Sequence, residues 1–140
     1  MFVVLDTNHY VALAAGGEMS QKLVQRADRE DADFFTTVIT AQEITQEWLA
    51  ALNCEPAGPK QVYGYRRFLH SILGFSKITV LPFDDEAAQR LVALQNQRIR
   101  VGTMDLKIAA TCIAHDALLL SRNLVDFEKV PGLRVENWVD

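Results

Sequence analysis

The sequence predicts an α/β fold built on a parallel sheet, and three observations carry that expectation. Phe2–Leu5 is an apolar, β-branched run with no polar alternation, the pattern of a strand buried on both faces. The next strand candidates are each reached through helical segments, which implies βαβ units. Thr103–His115 is apolar nearly all round, so it belongs in the interior, covering the sheet. At 140 residues and 15.7 kDa the chain is sized for one domain, 1–140.

The elements follow in order. His9–Ala15 is a short helix stopped by Gly16-Gly17. Glu18–Glu30 is amphipathic, with Met19, Leu23, Val24 and Ala27 to one side. Phe34–Thr37 is a second strand, and Thr40–Leu52 a helix with Ile44, Trp48 and Ala51 inward. Asn53–Pro59 is a loop-rich surface connection. Lys60–Gly74 is a helix that mixes Tyr63, Tyr65, Arg66, Arg67, Phe68 and His70. Ile78–Leu81 is a third strand, stopped by Pro82. Asp84 caps a helix running to Arg98, with Ala87, Leu91 and Leu94 at helical spacing, which also accounts for the acidic triplet Asp84-Asp85-Glu86. Leu118–Ser121 is a fourth strand and Leu133–Glu136 a fifth.

Composition narrows the class. Hydrophobic residues make up 49% and charged residues 23%, which excludes extensive disorder. No apolar run approaches the ~18 residues of a membrane span. Asp6 interrupts the first apolar stretch and no basic segment precedes it, so a signal peptide is not expected. Cys54 and Cys112 fit no CxxC pattern and are expected as reduced thiols in a cytoplasmic protein, with Cys112 in the core. Eighteen acidic residues against 14 basic ones give a net charge of −4, so nucleic acid cannot be gripped by bulk charge alone.

In open α/β sheets ligands bind beyond the carboxyl ends of the strands. Four acids cluster at such places in the sequence. Asp6 follows the first strand. Glu43 sits in the first turn of the helix after the second. Asp105 sits in the first turn of the apolar helix, and Asp126 follows the fourth strand. Each of the last three has an ordinary alternative. Thr40-Ala-Gln-Glu43 has capping-box spacing, Asp105 suits a helix dipole, and Asn123-Leu-Val-Asp126 is another capping pair. Four crowded carboxylates repel one another unless a cation neutralises them. An all-oxygen donor set selects Mg²⁺ or Mn²⁺, and such a site suits phosphodiester hydrolysis. Competing motifs are missing: there is no GxxxxGK[ST], GxGxxG, HExxH or GxSxG. A phosphotransfer D-x-D is also lacking, because Asn8 stands at its second position.

These residues resemble a known family. The LDTN of Leu5–Asn8, Glu43 at a helix start, the DLKIAA of Asp105–Ala110 and the SRNLVDF of Ser121–Phe127 resemble PIN-domain ribonucleases. The tail PGLRVENW, Pro131–Trp138, is similar to the VapC-type toxins of type II toxin–antitoxin pairs. The resemblance implies a three-layer α/β/α fold with a mostly parallel five-stranded sheet in the order 3-2-1-4-5. It implies Asp6, Glu43, Asp105 and Asp126 as catalytic and metal-binding acids, supported by Asn8, Ser121 and Asn123. It further implies Mg²⁺- or Mn²⁺-dependent endoribonuclease activity on structured RNA such as tRNA or rRNA, a VapB-type antitoxin partner, and a homodimer.

Several residues could meet RNA. Arg66 and Arg67 lie among aromatic residues, where guanidinium groups suit phosphates and rings suit bases. Arg98, Arg100 and Lys107 flank Asp105 in sequence. The alternative is an ordinary helix with a solvated basic face and an apolar core face. His9, His70 and His115 are expected to be structural, since imidazole does not suit an oxygen-rich site. Two other functions fit the same acids: a non-catalytic module holding a basic peptide in the acidic crevice, and a PIN nuclease acting on DNA.

Overall fold

Alternation along two short strands builds both halves of the core. The computed structural model describes residues 1–140. In β1 (Phe2–Leu5) and β4 (Leu118–Leu120), Val3, Leu5, Leu118 and Leu120 face one side of the sheet, and Val4 and Leu119 the other. All six are buried, each contributing about 1.5–3 kcal/mol by leaving water. β2 (Asp33–Thr37), β3 (Thr79–Leu81) and β5 (Arg134–Glu136) complete the sheet, in the order β3-β2-β1-β4-β5 with every pairing parallel. The fold class and the strand order therefore match those expected.

Helices cover both faces. α5 (Asp85–Asn96) and α6 (Thr103–Ala114) bury Leu91, Leu94, Leu106 and Ile108 against the Val4 side. Asp84 Oδ1 accepts from the Ala87 N–H at 3.0 Å, the cap expected from the acidic triplet. α1 (Thr7–Ala15), α2 (Gly17–Glu30) and α3 (Val38–Asn53) supply Tyr10, Leu23 and Ile44 to the Val3 side. α4 (Val62–Phe75) follows a single 3-10 turn at Pro59–Gln61 and packs on α3. A Cβ on Gly64 would come within 2.7 Å of the Leu52 Cδ2 methyl, so a larger residue would displace that buried side chain where α4 meets α3. α7 (Leu124–Phe127) is one short turn between β4 and β5 that buries Phe127. Cys112 is buried and Cys54 exposed, both free. No helix is long and apolar enough to cross a membrane.

Some boundaries and faces differ from those expected. α1 begins at Thr7, not His9, so Asp6 is its N-cap residue. In α2 Leu23 and Ala27 define the buried line and Val24 is exposed, because it lies about 100° round the helix from Leu23. In α3 Leu52, not Ala51, is the inward residue. α4 was expected to have a core face but has no buried residue at all. Tyr63, Tyr65, Leu69, Ile72 and Leu73 are each more than half exposed. The chain exposes 8255 Å² where scaling gives ~7,300 Å² for a monomeric protein of this mass. α4 is thus an apolar face without a cover within this chain.

The segment after β5 returns across the sheet to α1. His9 is fully buried, and its Nε2 accepts from the Trp138 backbone N–H at 2.9 Å. Burial, aided by the Arg122 charge and opposed by Asp140, pushes its pKa down to about 4. A histidine with a depressed folded pKa binds fewer protons folded than unfolded between about pH 4 and 6.5, so stability rises with pH there. We expect full stability above about pH 6.5 and a loss of about 2–3 kcal/mol as pH falls to 4. Urea unfolding of His9→Gln protein should lack that part of the pH dependence. An unchanged pH profile would contradict it.

Candidate carboxylate site

Three acids from three elements share one electrostatic neighbourhood beyond the carboxyl ends of the strands. Asp6 is placed by the end of β1, where its N–H donates to the Leu120 carbonyl at 2.9 Å. It occupies the N-cap of α1, yet its side chain does not cap the helix. Its Oδ2 instead accepts from the Ser121 hydroxyl at 2.8 Å. The carboxylate is therefore held across the β1–β4 junction and not on the helix terminus.

Glu43 is not part of a capping box. β2 runs into α3 without a loop, and Thr37 is the cap, its Oγ1 accepting from the Thr40 N–H at 3.1 Å. Glu43 stands more than a turn further in, and its Oε2 accepts from the Thr7 hydroxyl at 3.2 Å. Burial and the charges of Asp6, Asp105 and Glu47 hold its carboxyl above the usual range, against the lowering effect of Thr7. Asp105 sits in the first turn of α6, where the helix dipole favours an anion. Its carboxyl is also raised, by burial and then by Asp6 and Asp126, while a hydrogen bond from Asn123 opposes the shift.

Asp126 keeps its ordinary explanation. Asn123 caps α7, accepting from the Asp126 N–H at 3.4 Å and donating to Asp126 Oδ2 at 3.1 Å. Lys129 pairs with the same carboxylate at 3.2 Å, and these bonds hold its pKa below the usual range. Asp126 thus lies at the rim, coupled to Asp105 through Asn123, whose Nδ2 also reaches Asp105 Oδ2 at 3.4 Å.

The supporting residues fall into place unequally. Ser121 and Asn123 form one unit: the Ser121 Oγ also accepts from the Asn123 N–H at 3.0 Å. Asn8 is exposed, and its neighbour Thr7 makes the hydrogen bond to Glu43. Thr7 is the residue that sequence reasoning missed, although it stands in the same LDTN run. Arg66, Arg67, Arg98 and Arg100 are exposed and Lys107 is partly buried. Arg67 lies over the Trp48 ring at 5.9 Å. It lines a groove of about 710 Å³ with Tyr10, Leu13, Ile44, Trp48 and His70. That groove begins at residues adjoining Glu43.

The donor set is one that a hard divalent cation favours: carboxylate oxygens, partly buried, two of them raised by burial and then by neighbouring like charge, which a cation would offset. As the side chains stand, no three acids are already arranged to hold an ion. The backbone positions and the hydrogen bonds from Thr7, Ser121 and Asn123 hold the three carboxylates near one another against their mutual repulsion.

Comparison with known proteins places the whole fold. The profile of the PIN domain family matches residues 3–133. The ribonuclease VapC1 of Rickettsia felis is 44% identical over 64 residues, 43% of this chain and 48% of that protein. The tRNA(fMet)-specific endonuclease VapC of Salmonella typhimurium is 31% identical over 86 residues, 58% of this chain and 65% of that protein. The matched segments thus span about half to just under two thirds of these relatives' length. Among solved structures, the VapBC2 complex from Rickettsia felis bound to a promoter DNA fragment aligns at a TM-score of 0.73 and 19% identity, covering 99% of both chains. DNA-bound VapBC from Salmonella typhimurium aligns at 0.71 and 24% identity, covering 99% of this chain and 98% of that one. With a profile match over nearly its full length on the parallel sheet described above, this chain belongs to the PIN-domain family.

Proposed function

We propose that this chain is a metal-dependent endoribonuclease, a toxin neutralised by a cognate VapB-type antitoxin. The observation that carries this reading is the coupling of Asp6, Glu43 and Asp105, drawn from three elements into one field and each held by a side-chain hydrogen bond. The ribonuclease and tRNA-endonuclease names of the relatives support the choice of RNA.

Asp6, Glu43 and Asp105 would hold Mg²⁺ or Mn²⁺, with Asp126 as an outer fourth acid. When bound, such an ion supplies an activated water and offsets the charge developing on the phosphate. The chain's own contribution is to aim the acids. Ser121 fixes Asp6, Asn123 fixes Asp105 and Asp126, and Thr7 fixes Glu43. Asn8 stands ready at the exposed edge. Arg98, Arg100 and Lys107 beside the start of α6 would meet the RNA backbone, and Arg66 and Arg67 on α4 would extend that contact. The substrate is proposed to be tRNA or rRNA in the cytoplasm, the tRNA choice being supported by the name of the Salmonella typhimurium relative.

The uncovered apolar face of α4 and the groove against α1 and α3 suit a protein partner, which we assign to the antitoxin. The chain is further proposed to act as a homodimer. The test is a substrate panel. Purified chain, freed of antitoxin, should cut structured RNA in the presence of Mn²⁺ or Mg²⁺ and leave matched DNA intact. Cleavage of DNA in preference to RNA would select the DNA nuclease instead. Tight binding of a basic peptide with no cleavage of either would select the binding module.

Ser121→Ala should weaken Mn²⁺ binding by about 10–100-fold, the usual cost of losing a partner that orients a metal ligand. Ser121→Thr keeps the hydroxyl and should stay near wild type. Calorimetric Mn²⁺ titration of both variants checks this, and equal affinities would contradict it.

A further inference from the structure

We propose that the segment Asn137–Asp140 is a positioning strap for the carboxylate site, held by His9 on α1 and by Arg122 on the β4–α7 turn. The inference rests on reading that site as a metal-dependent nuclease centre.

α1 buries only two side chains, His9 and Tyr10. Two anchors of this kind set how the helix is rotated about its axis, because successive residues lie about 100° apart. Tyr10 stacks on Phe75, centroids 4.7 Å apart and planes 4° from parallel. His9 makes the other anchor, to the backbone of the strap at Trp138. The same turn of α1 carries Thr7, which holds Glu43, and begins at Asp6. Rotation or tilt of α1 would carry both away from Asp105.

The strap also reaches the opposite side of the site. Asp140 Oδ2 accepts from Arg122 Nε at 2.9 Å and from Asn137 Nδ2 at 2.8 Å. Arg122 lies between Ser121 and Asn123, the residues that hold Asp6 and Asp105. One short segment is therefore tied to both elements that aim the acids.

Trp138 seats the strap. It is nearly buried, meets the Phe34 ring edge-on at 6.3 Å between centroids, and is covered by the Arg26 guanidinium at 4.2 Å. Arg26 in turn bridges Glu30 and Glu136. The contact retains polar groups at a cost. Trp138 Nε1 and His9 Nδ1 are buried without partners; an apolar residue at position 9 would remove only the second of these and would leave the Trp138 backbone N–H unpaired instead. A histidine there is explained by its acceptor, which fixes the strap in one register.

The experiment compares three variants by Mn²⁺ affinity in electron paramagnetic resonance titrations, by RNA cleavage and by thermal unfolding. His9→Leu keeps bulk but loses the acceptor, and its Mn²⁺ affinity should fall about tenfold. His9→Gln offers an oxygen in place of Nε2 and should recover to within about threefold of wild type. Asp140→Ala breaks a half-exposed ion pair, so its unfolding temperature should scarcely move while its Mn²⁺ affinity falls about threefold. Should His9→Leu fail to fold, Asp140→Ala decides alone. Wild-type protein that binds Mn²⁺, with every folded variant within about twofold of it, overturns the strap and leaves the nuclease reading standing. Equal losses in His9→Leu and His9→Gln overturn it as well. Wild-type protein that takes up no Mn²⁺ overturns the nuclease reading and the strap with it.

Discussion

Replacing Asp105 with Asn should abolish RNA cleavage, by at least about a thousandfold, while making the metal-free protein more stable. The two effects share one cause. Asp105 is half-buried beside Asp6 and within reach of the Asp126 charge, and its carboxyl is held above the usual range. A carboxyl with a raised folded pKa stabilises the fold only while it is protonated, and that contribution is lost as pH rises through its folded pKa. At neutral pH the folded protein therefore carries a penalty. Asn removes the charge and can still accept the Asn123 hydrogen bond that now reaches Asp105 at 3.4 Å. In chelator at pH 7, D105N should unfold at a higher temperature than wild type. Addition of Mn²⁺ should reverse the order, because only wild type gains binding energy, about 2.7 kcal/mol at a hundred times the dissociation constant. Thermal melts with and without Mn²⁺, beside a cleavage assay, check both halves. D105N that cleaves like wild type would refute the assignment of this acid.

Phe127→Ala should cost about 3–5 kcal/mol, a large part of a typical stability of 5–15 kcal/mol. Phe127 is fully buried against the cluster that contains Ile108, Leu119 and Val130, and it is the only buried residue of α7. Its loss leaves a cavity and also removes the anchor of the turn that carries Asn123 and Asp126. Activity should therefore fall further than stability alone explains at temperatures where the variant is still folded. Phe127→Leu keeps most of the packing and should cost about 1–2 kcal/mol. Urea unfolding measures both. A cost below about 1 kcal/mol for the alanine variant would mean that the site collapses around the gap.

The sheet was legible because its central strands, Phe2–Leu5 and Leu118–Leu120, are buried on both faces and read as unbroken apolar runs. The strand order came from family resemblance, since nothing in the residues orders parallel strands. The acids were legible as exits from strands and starts of helices. The way each is held was not. Thr37-Val-Ile-Thr40 is β-branched throughout, which disguises the start of α3 at Val38 and makes Thr40 the first readable cap. That shift of three residues turned Glu43 into a capping residue on paper. A shift of two residues at α1, from Thr7 to His9, hid the Thr7 hydrogen bond. The exposed face of α4 was illegible for another reason. Periodicity reports that a helix has an apolar face and is silent on what covers it. His9 was rightly read as structural, but its partner at Trp138 lies 129 residues away and no local pattern reveals it.

The most direct test of the account is a crystal of the chain grown with Mn²⁺ and measured at the manganese absorption edge. An anomalous peak ligated by Asp6 and Asp105, with Glu43 turned toward it and Ser121 still bonded to Asp6, is the predicted result. Saturating Mn²⁺ with no peak between these carboxylates, or a peak held only at the rim by Asp126, would contradict it.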